Sequence, residues 1–123
     1  MTNKERAITF LKLAGSGNVR EAYDRFVSPR FLHHNPYFAG DRDSLLRAME
    51  EAHAASPNGS VDVLSVIEED DRVMTHSRVR RADPAAAEIA VVHILRFEND
   101  QIVELWDVGQ EIPADSPNKN GAF

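Results

Sequence analysis

The feature that most constrains this chain is a change of periodicity at Gly59. Before it, apolar residues recur at spacings of three and four, the mark of amphipathic helices. After it come four stretches rich in β-branched residues, SVDVLSVIEE, RVMTHSRVRR, AEIAVVHILRFE and QIVELWDVGQEI, with Asp70-Asp71 and Asn99-Asp100 as tight turns between neighbours. Three helices followed by four antiparallel strands predict an α+β domain.

The first helix places Ala7, Ile8, Leu11 and Ala14 on one stripe after Thr2 or Asn3 as cap, and Gly15-Ser16-Gly17 stops it. Asn18 is expected to cap a second helix, with Val19, Ala22, Tyr23, Phe26 and Val27 on its stripe, until Ser28-Pro29 interrupts the pattern. Residues 30–40, RFLHHNPYFAG, read as a short extended stretch running into an Asn-Pro turn. Asp41 or Asp43 caps a third helix carrying Leu45, Leu46, Met49, Ala52 and His53, which Ser56-Pro57-Asn58-Gly59 ends. Residues 1–112 are read as one domain and 113–123 as a polar C-terminal tail.

Alternation along the strands separates their faces. Ile89, Val91, His93, Leu95 and Phe97 share one face of the third strand, and Ala90, Val92, Ile94 and Arg96 the other. In the fourth, Val103, Leu105, Asp107 and Gly109 oppose Ile102, Glu104, Trp106 and Val108. Both faces are largely apolar. Helices cover only one of them, so a homodimer through the outer sheet face is expected.

At 123 residues the chain is long enough to bury one core, and its 42% hydrophobic and 28% charged residues are those of a folded globular protein. A net charge of -6, with no basic block beyond Arg78, Arg80 and Arg81, argues against a nucleic-acid partner. The absence of cysteine excludes disulfides and thiolate chemistry. The charged N-terminal segment reads neither as a signal peptide nor as a membrane span, which makes the cytoplasm the expected location.

No phosphate loop, nucleophile elbow or zinc-ligand spacing occurs. The candidates for chemistry are ionisable residues on apolar elements. His93 sits between Val91 and Leu95, where an imidazole needs either a hydrogen-bond partner or a function. Asp107 shares a face with Val103 and Leu105, where a carboxylate must be paired, at a rim, or shifted in pKa. His34 and Tyr37 in the irregular segment, His76 in mid-strand and His53 on the third helix are candidate ligand contacts. Three histidines and a carboxylate are ordinary metal ligands, but they lie on separate elements without local ligand spacing, and no metal site is assigned.

The segments Phe31-Leu32-His33-His34-Asn35-Pro36 with Gly40, His93-Ile94-Leu95-Arg96-Phe97-Glu98-Asn99-Asp100, Ile102-Val103-Glu104-Leu105-Trp106-Asp107-Val108 and Asn120-Gly121-Ala122-Phe123 together resemble the SnoaL-like polyketide cyclases of the nuclear transport factor 2-like superfamily. The resemblance implies a cone, in which a strongly curved, mostly antiparallel sheet of cystatin-like type wraps around the N-terminal helices and opens to a small hydrophobic carbonyl compound. It also implies dimerisation through the outer face, and an acidic side chain that closes the ring by aldol chemistry without metal or organic cofactor.

Where such relatives often read Asp-Ile-Phe-Arg, this chain has His93-Ile94-Leu95-Arg96, and where they read Glu-His-Trp-Asp it has Glu104-Leu105-Trp106-Asp107. The resemblance therefore points to His93 and Asp107 as the acid/base pair for cyclisation, isomerisation or dehydration. The competing reading is a non-catalytic ligand-binding or interaction domain on the same fold.

Overall fold

The computed structural model describes residues Met1–Phe123. Helix α1 (Asn3–Gly15) begins at a capping box: Thr2 Oγ1 accepts from the Glu5 amide at 3.1 Å, and Glu5 accepts from the Thr2 amide at 3.3 Å. Helix α2 (Val19–Phe26) follows a tight reversal at Ser16-Gly17, where Gly17 adopts a φ of 92°. Asn18 stands at the start of α2 but makes no side-chain cap bond; its amide turns to Ser16 Oγ at 3.1 Å.

Strand β1 (Val27–His33) starts immediately, so Val27 is the first strand residue rather than the last on the helical stripe. Pro29 disfavours helical backbone at Ser28, so the helix cannot run on past Val27. Helix α3 (Arg42–Ala55) is capped by Asp41, which accepts from the Ser44 amide at 3.1 Å. Strands β2 (Ser60–Glu69), β3 (Arg72–Arg80), β4 (Ile89–Glu98) and β5 (Gln101–Glu111) complete the chain. Asp70, Asn99 and Asp100 take positive φ at the two tight hairpins, a conformation that Asp and Asn tolerate better than other side chains.

The five strands form one curved mixed sheet in the order β1-β5-β4-β3-β2, antiparallel throughout except that β1 lies parallel to β5 at the edge. The irregular segment is therefore partly a fifth strand. Its register with β5 breaks between Val27 and Leu32, the stretch holding Pro29, which has no N–H to donate.

Helix α1 packs across β2 and β3, while α2 and α3 close the concave face beside β1. The core gathers Ala7, Phe10, Leu11, Val19, Ala22, Tyr23 and Phe26 from the helices against Val73, Leu95, Phe97 and Ile102. Ile102 belongs to this inner set because a bulge between Arg96 and Phe97 shifts the β4–β5 register. Strict alternation through residues 102–105 fails there, since a bulge changes the count on one strand.

The concave face is filled at one end only. At the other, Ala14 and Gly15 of α1 and Ala48, Met49 and Ala52 of α3 are small or flexible, and they leave a space over Val61, Val79, Ile89 and Val91. No helix is long and apolar enough to cross a membrane.

Candidate functional site

That space is a cavity of about 340 Å³. Its wall is apolar except for three side chains, Asn35, His93 and Asp107. Their convergence follows from register. His93 on β4 lies directly opposite Asp107 on β5, and both strands are regular at this point, so the two side chains emerge side by side on the concave face.

Asn35 arrives from the turn after β1. Its side-chain amide donates to Asp107 Oδ2 at 3.0 Å, and its Oδ1 accepts from the Tyr37 amide at 3.0 Å. Buried His33 holds this turn from below: Nδ1 accepts from the Asn35 amide at 3.1 Å, which leaves Nε2–H to donate to the Ala39 carbonyl at 2.7 Å. The loop carrying Asn35 is thus fastened at both ends to one imidazole, and Asp107 is fastened to the loop.

Burial is the dominant influence on His93 and pushes its pKa below the ordinary imidazole value; the neighbouring Asp107 carboxylate opposes that shift more weakly. The ring is therefore neutral near pH 7. Its Nδ1 is buried without a hydrogen-bond partner, so Nε2 is the nitrogen with access to the cavity. A carboxylate that accepts protons beside a neutral imidazole, in apolar surroundings, is suited to proton transfer on a bound organic molecule.

The other expected contacts lie elsewhere. His34 faces the opposite way from His33, as adjacency in a strand dictates. Its ring stacks on Trp106 at 4.9 Å, and its Nε2 lies 2.6 Å from Glu104 Oε2, on the outer side of the sheet. There the His34 hydrogen bond and then Arg96 hold the Glu104 carboxyl below the usual range. His76 also projects outward, with its ring 6.3 Å from that of Phe123, because the inward positions of β3 are Val73, Thr75 and Ser77. His53 packs on the backbone of Gly17 and borders a shallow recess with Arg80 and Arg81 behind the cavity. Tyr37 is 86% exposed.

Sequence reasoning overlooked Asn35 as a functional side chain, although the Asn-Pro step that turns it inward was readable. No three His, Asp or Glu side chains converge in a way that could hold a metal ion.

Residues 7–105 match the family of SnoaL-like domains. Among solved structures, IdmH of Streptomyces antibioticus, provisionally assigned as a polyketide cyclase, superposes with a TM-score of 0.73 at 19% identity, covering 89% of this chain and 92% of its own. AclR of Streptomyces galilaeus, provisionally assigned as a hydroxylase, gives 0.68 at 22% identity over 89% and 91% of the two chains. An uncharacterised cystatin-fold protein of Novosphingobium aromaticivorans gives 0.73 at 16% identity over 88% and 98%. No curated protein matches by sequence. These likenesses establish the cystatin-like, nuclear transport factor 2-like fold, and the different activities attached to IdmH and AclR leave the reaction to be argued from the site.

Proposed function

The chain belongs to the SnoaL-like domain family, and from that premise we propose that it binds a small, largely apolar carbonyl compound and performs acid/base chemistry on it without a cofactor. The reaction class is aldol-type cyclisation, isomerisation or dehydration. The observation that carries this reading is the single polar corner of an otherwise apolar cavity, where Asp107 and His93 stand in register. At about 340 Å³ the cavity lies at the small end of the usual range for ligand sites, which favours a molecule of one or two rings.

The roles divide by chemistry. Asp107, steadied by Asn35, takes a proton from a carbon flanked by two carbonyls, a site already acidic because its enolate is delocalised. Neutral His93 donates through Nε2–H to the enolate oxygen, where an aimed donor in apolar surroundings is worth more than in water. The enolate carbon then attacks a further carbonyl of the same molecule, outside the flanking pair, forming a C–C bond as that C=O opens to an alkoxide, and protonated Asp107 returns its proton to the new alkoxide. The chain assembles as a homodimer through the outer face of the sheet, where Met74, Val92 and Val108 are exposed.

Co-crystallisation with an aryl 1,3-diketone tests the arrangement. A diketone oxygen within hydrogen-bond distance of His93 Nε2, with the acidic carbon over Asp107, is the expected result. Density elsewhere, or a diketone lying with its oxygens away from both residues, would favour a non-catalytic binding domain.

A further inference from the structure

Two hydroxyl groups stand on the concave side of β3. Thr75 is 2% exposed and Ser77 fully buried, and neither Thr75 Oγ1 nor Ser77 Oγ has a hydrogen-bond partner. His93 Nδ1 is buried and unpartnered as well. Buried polar atoms are seldom left unsatisfied, and these are not scattered. Thr75 pairs in register with His93, and His93 with Asp107, so hydroxyl, imidazole and carboxylate form one row across three adjacent strands. Ser77 pairs with Val91, which has no polar side-chain atom to offer.

Cross-strand neighbours on one face have Cβ atoms about 4.5–5.5 Å apart. Thr Oγ1 lies one bond beyond Cβ and His Nδ1 two bonds, and since the two orphaned atoms make no direct bond, one buried water can span them. Each supplies what the other lacks: the hydroxyl needs an acceptor and a bare imidazole nitrogen needs a donor.

We propose that Thr75 is a positioning residue for His93, its hydroxyl donating to Nδ1 through one sequestered water and so keeping the ring proton on Nε2, toward the cavity and Asp107. A carboxylate can only accept, so Asp107 favours the same tautomer from the opposite side. Burial, which keeps the ring neutral, makes the choice of tautomer matter.

The order of the row also has a chemical consequence. In a nucleophilic triad the hydroxyl meets the substrate and the carboxylate is buried. Here the carboxylate lines the cavity and the hydroxyl is sealed below the imidazole, so the row orients a hydrogen-bond donor and cannot form an acyl-enzyme at Thr75.

The role rests on the reading of His93 as the donor of the proposed site, but its test needs no substrate. Long-range ¹H–¹⁵N spectra of ¹⁵N-histidine-labelled protein, at a pH where the ring is neutral, report which nitrogen carries the proton. In the wild type, His93 should show Nε2 protonated and Nδ1 as a hydrogen-bonded, pyridine-type nitrogen. Thr75→Val, which keeps the shape and deletes the hydroxyl, should bring in the second tautomer, moving the averaged Nδ1 signal upfield and the Nε2 signal downfield toward each other. Thr75→Ser should restore the wild-type signals, and Ser77→Ala should leave them in place.

A wild-type proton on Nδ1 overturns the proposal, and that reading needs no variant to fold. Thr75→Val signals identical to wild type overturn it as well, as does an equal shift in Ser77→Ala. Loss of the acid/base activity argued above would appear separately, as absent turnover with the tautomer pattern intact.

Discussion

At the scale of single residues, the proposed site depends on His93 staying neutral beside Asp107. Its pKa is depressed by burial in the folded state, so the unfolded chain binds the proton more readily. The associated stability is fully present above the ordinary value of 6.5 and is lost as pH falls from there toward the folded pKa. Thermal melts across pH should therefore show wild-type stability declining on acidification through this window. A His93→Gln variant should decline less steeply, and parallel curves would contradict the assignment.

Asn35 offers a second test at this scale. Hydrogen bonds to charged groups contribute about 1.5–3 kcal/mol, so Asn35→Ala, which frees Asp107 and loosens the turn, should lower turnover by roughly ten- to a hundredfold. Circular dichroism should remain that of the wild type.

At the scale of elements, the cavity exists because α1 ends in small residues against β2. A Cβ on Gly15 would fall 2.9 Å from Val61 Cβ, and valine has little freedom to turn away. Gly15→Ala should destabilise the fold by about 1–3 kcal/mol in denaturant titrations, as overpacking does, and Val61→Ala in the same chain should recover part of the loss.

This scale also shows what the amino-acid pattern makes legible. His93 and Asp107 were readable as inward residues because alternation runs unbroken from Ile89 to Arg96 and from Glu104 to Gly109. Ile102 was not, because the bulge beside Phe97 changes the count without any marker in the residues. Strand β1 was underestimated because its partner lies about seventy residues away, a pairing that local propensity does not encode. His76 was misleading for a different reason. The inward face of β3 is Val73, Thr75 and Ser77, whose polar members resemble a water-facing row, while Met74 and His76 point outward.

At the scale of the whole molecule, the proposed assembly runs through the outer face of the sheet. Met74, Val92 and Val108 are 42%, 39% and 68% exposed there, beside a Trp106 ring held between His34 and Arg72. Burying this face against a second copy predicts a dimer in sedimentation equilibrium at micromolar concentration, and Val108→Lys should shift the population to monomer. A wild-type monomer at that concentration would contradict the dimer. The cavity opens on the other face, so the monomeric variant should still bind a diketone.

In the proposed reaction Asp107 works as a base on a carbon acid held in the apolar cavity. Exchange of the acidic C–H of a bound aryl 1,3-diketone for deuterium, followed by NMR in D2O with affinity measured in parallel, tests it without knowledge of the natural substrate. Wild-type protein should accelerate exchange over buffer, and Asp107→Asn should lose about two to four orders of magnitude of that acceleration at little cost in affinity. Tight binding with exchange no faster in the wild type than in Asp107→Asn would contradict it.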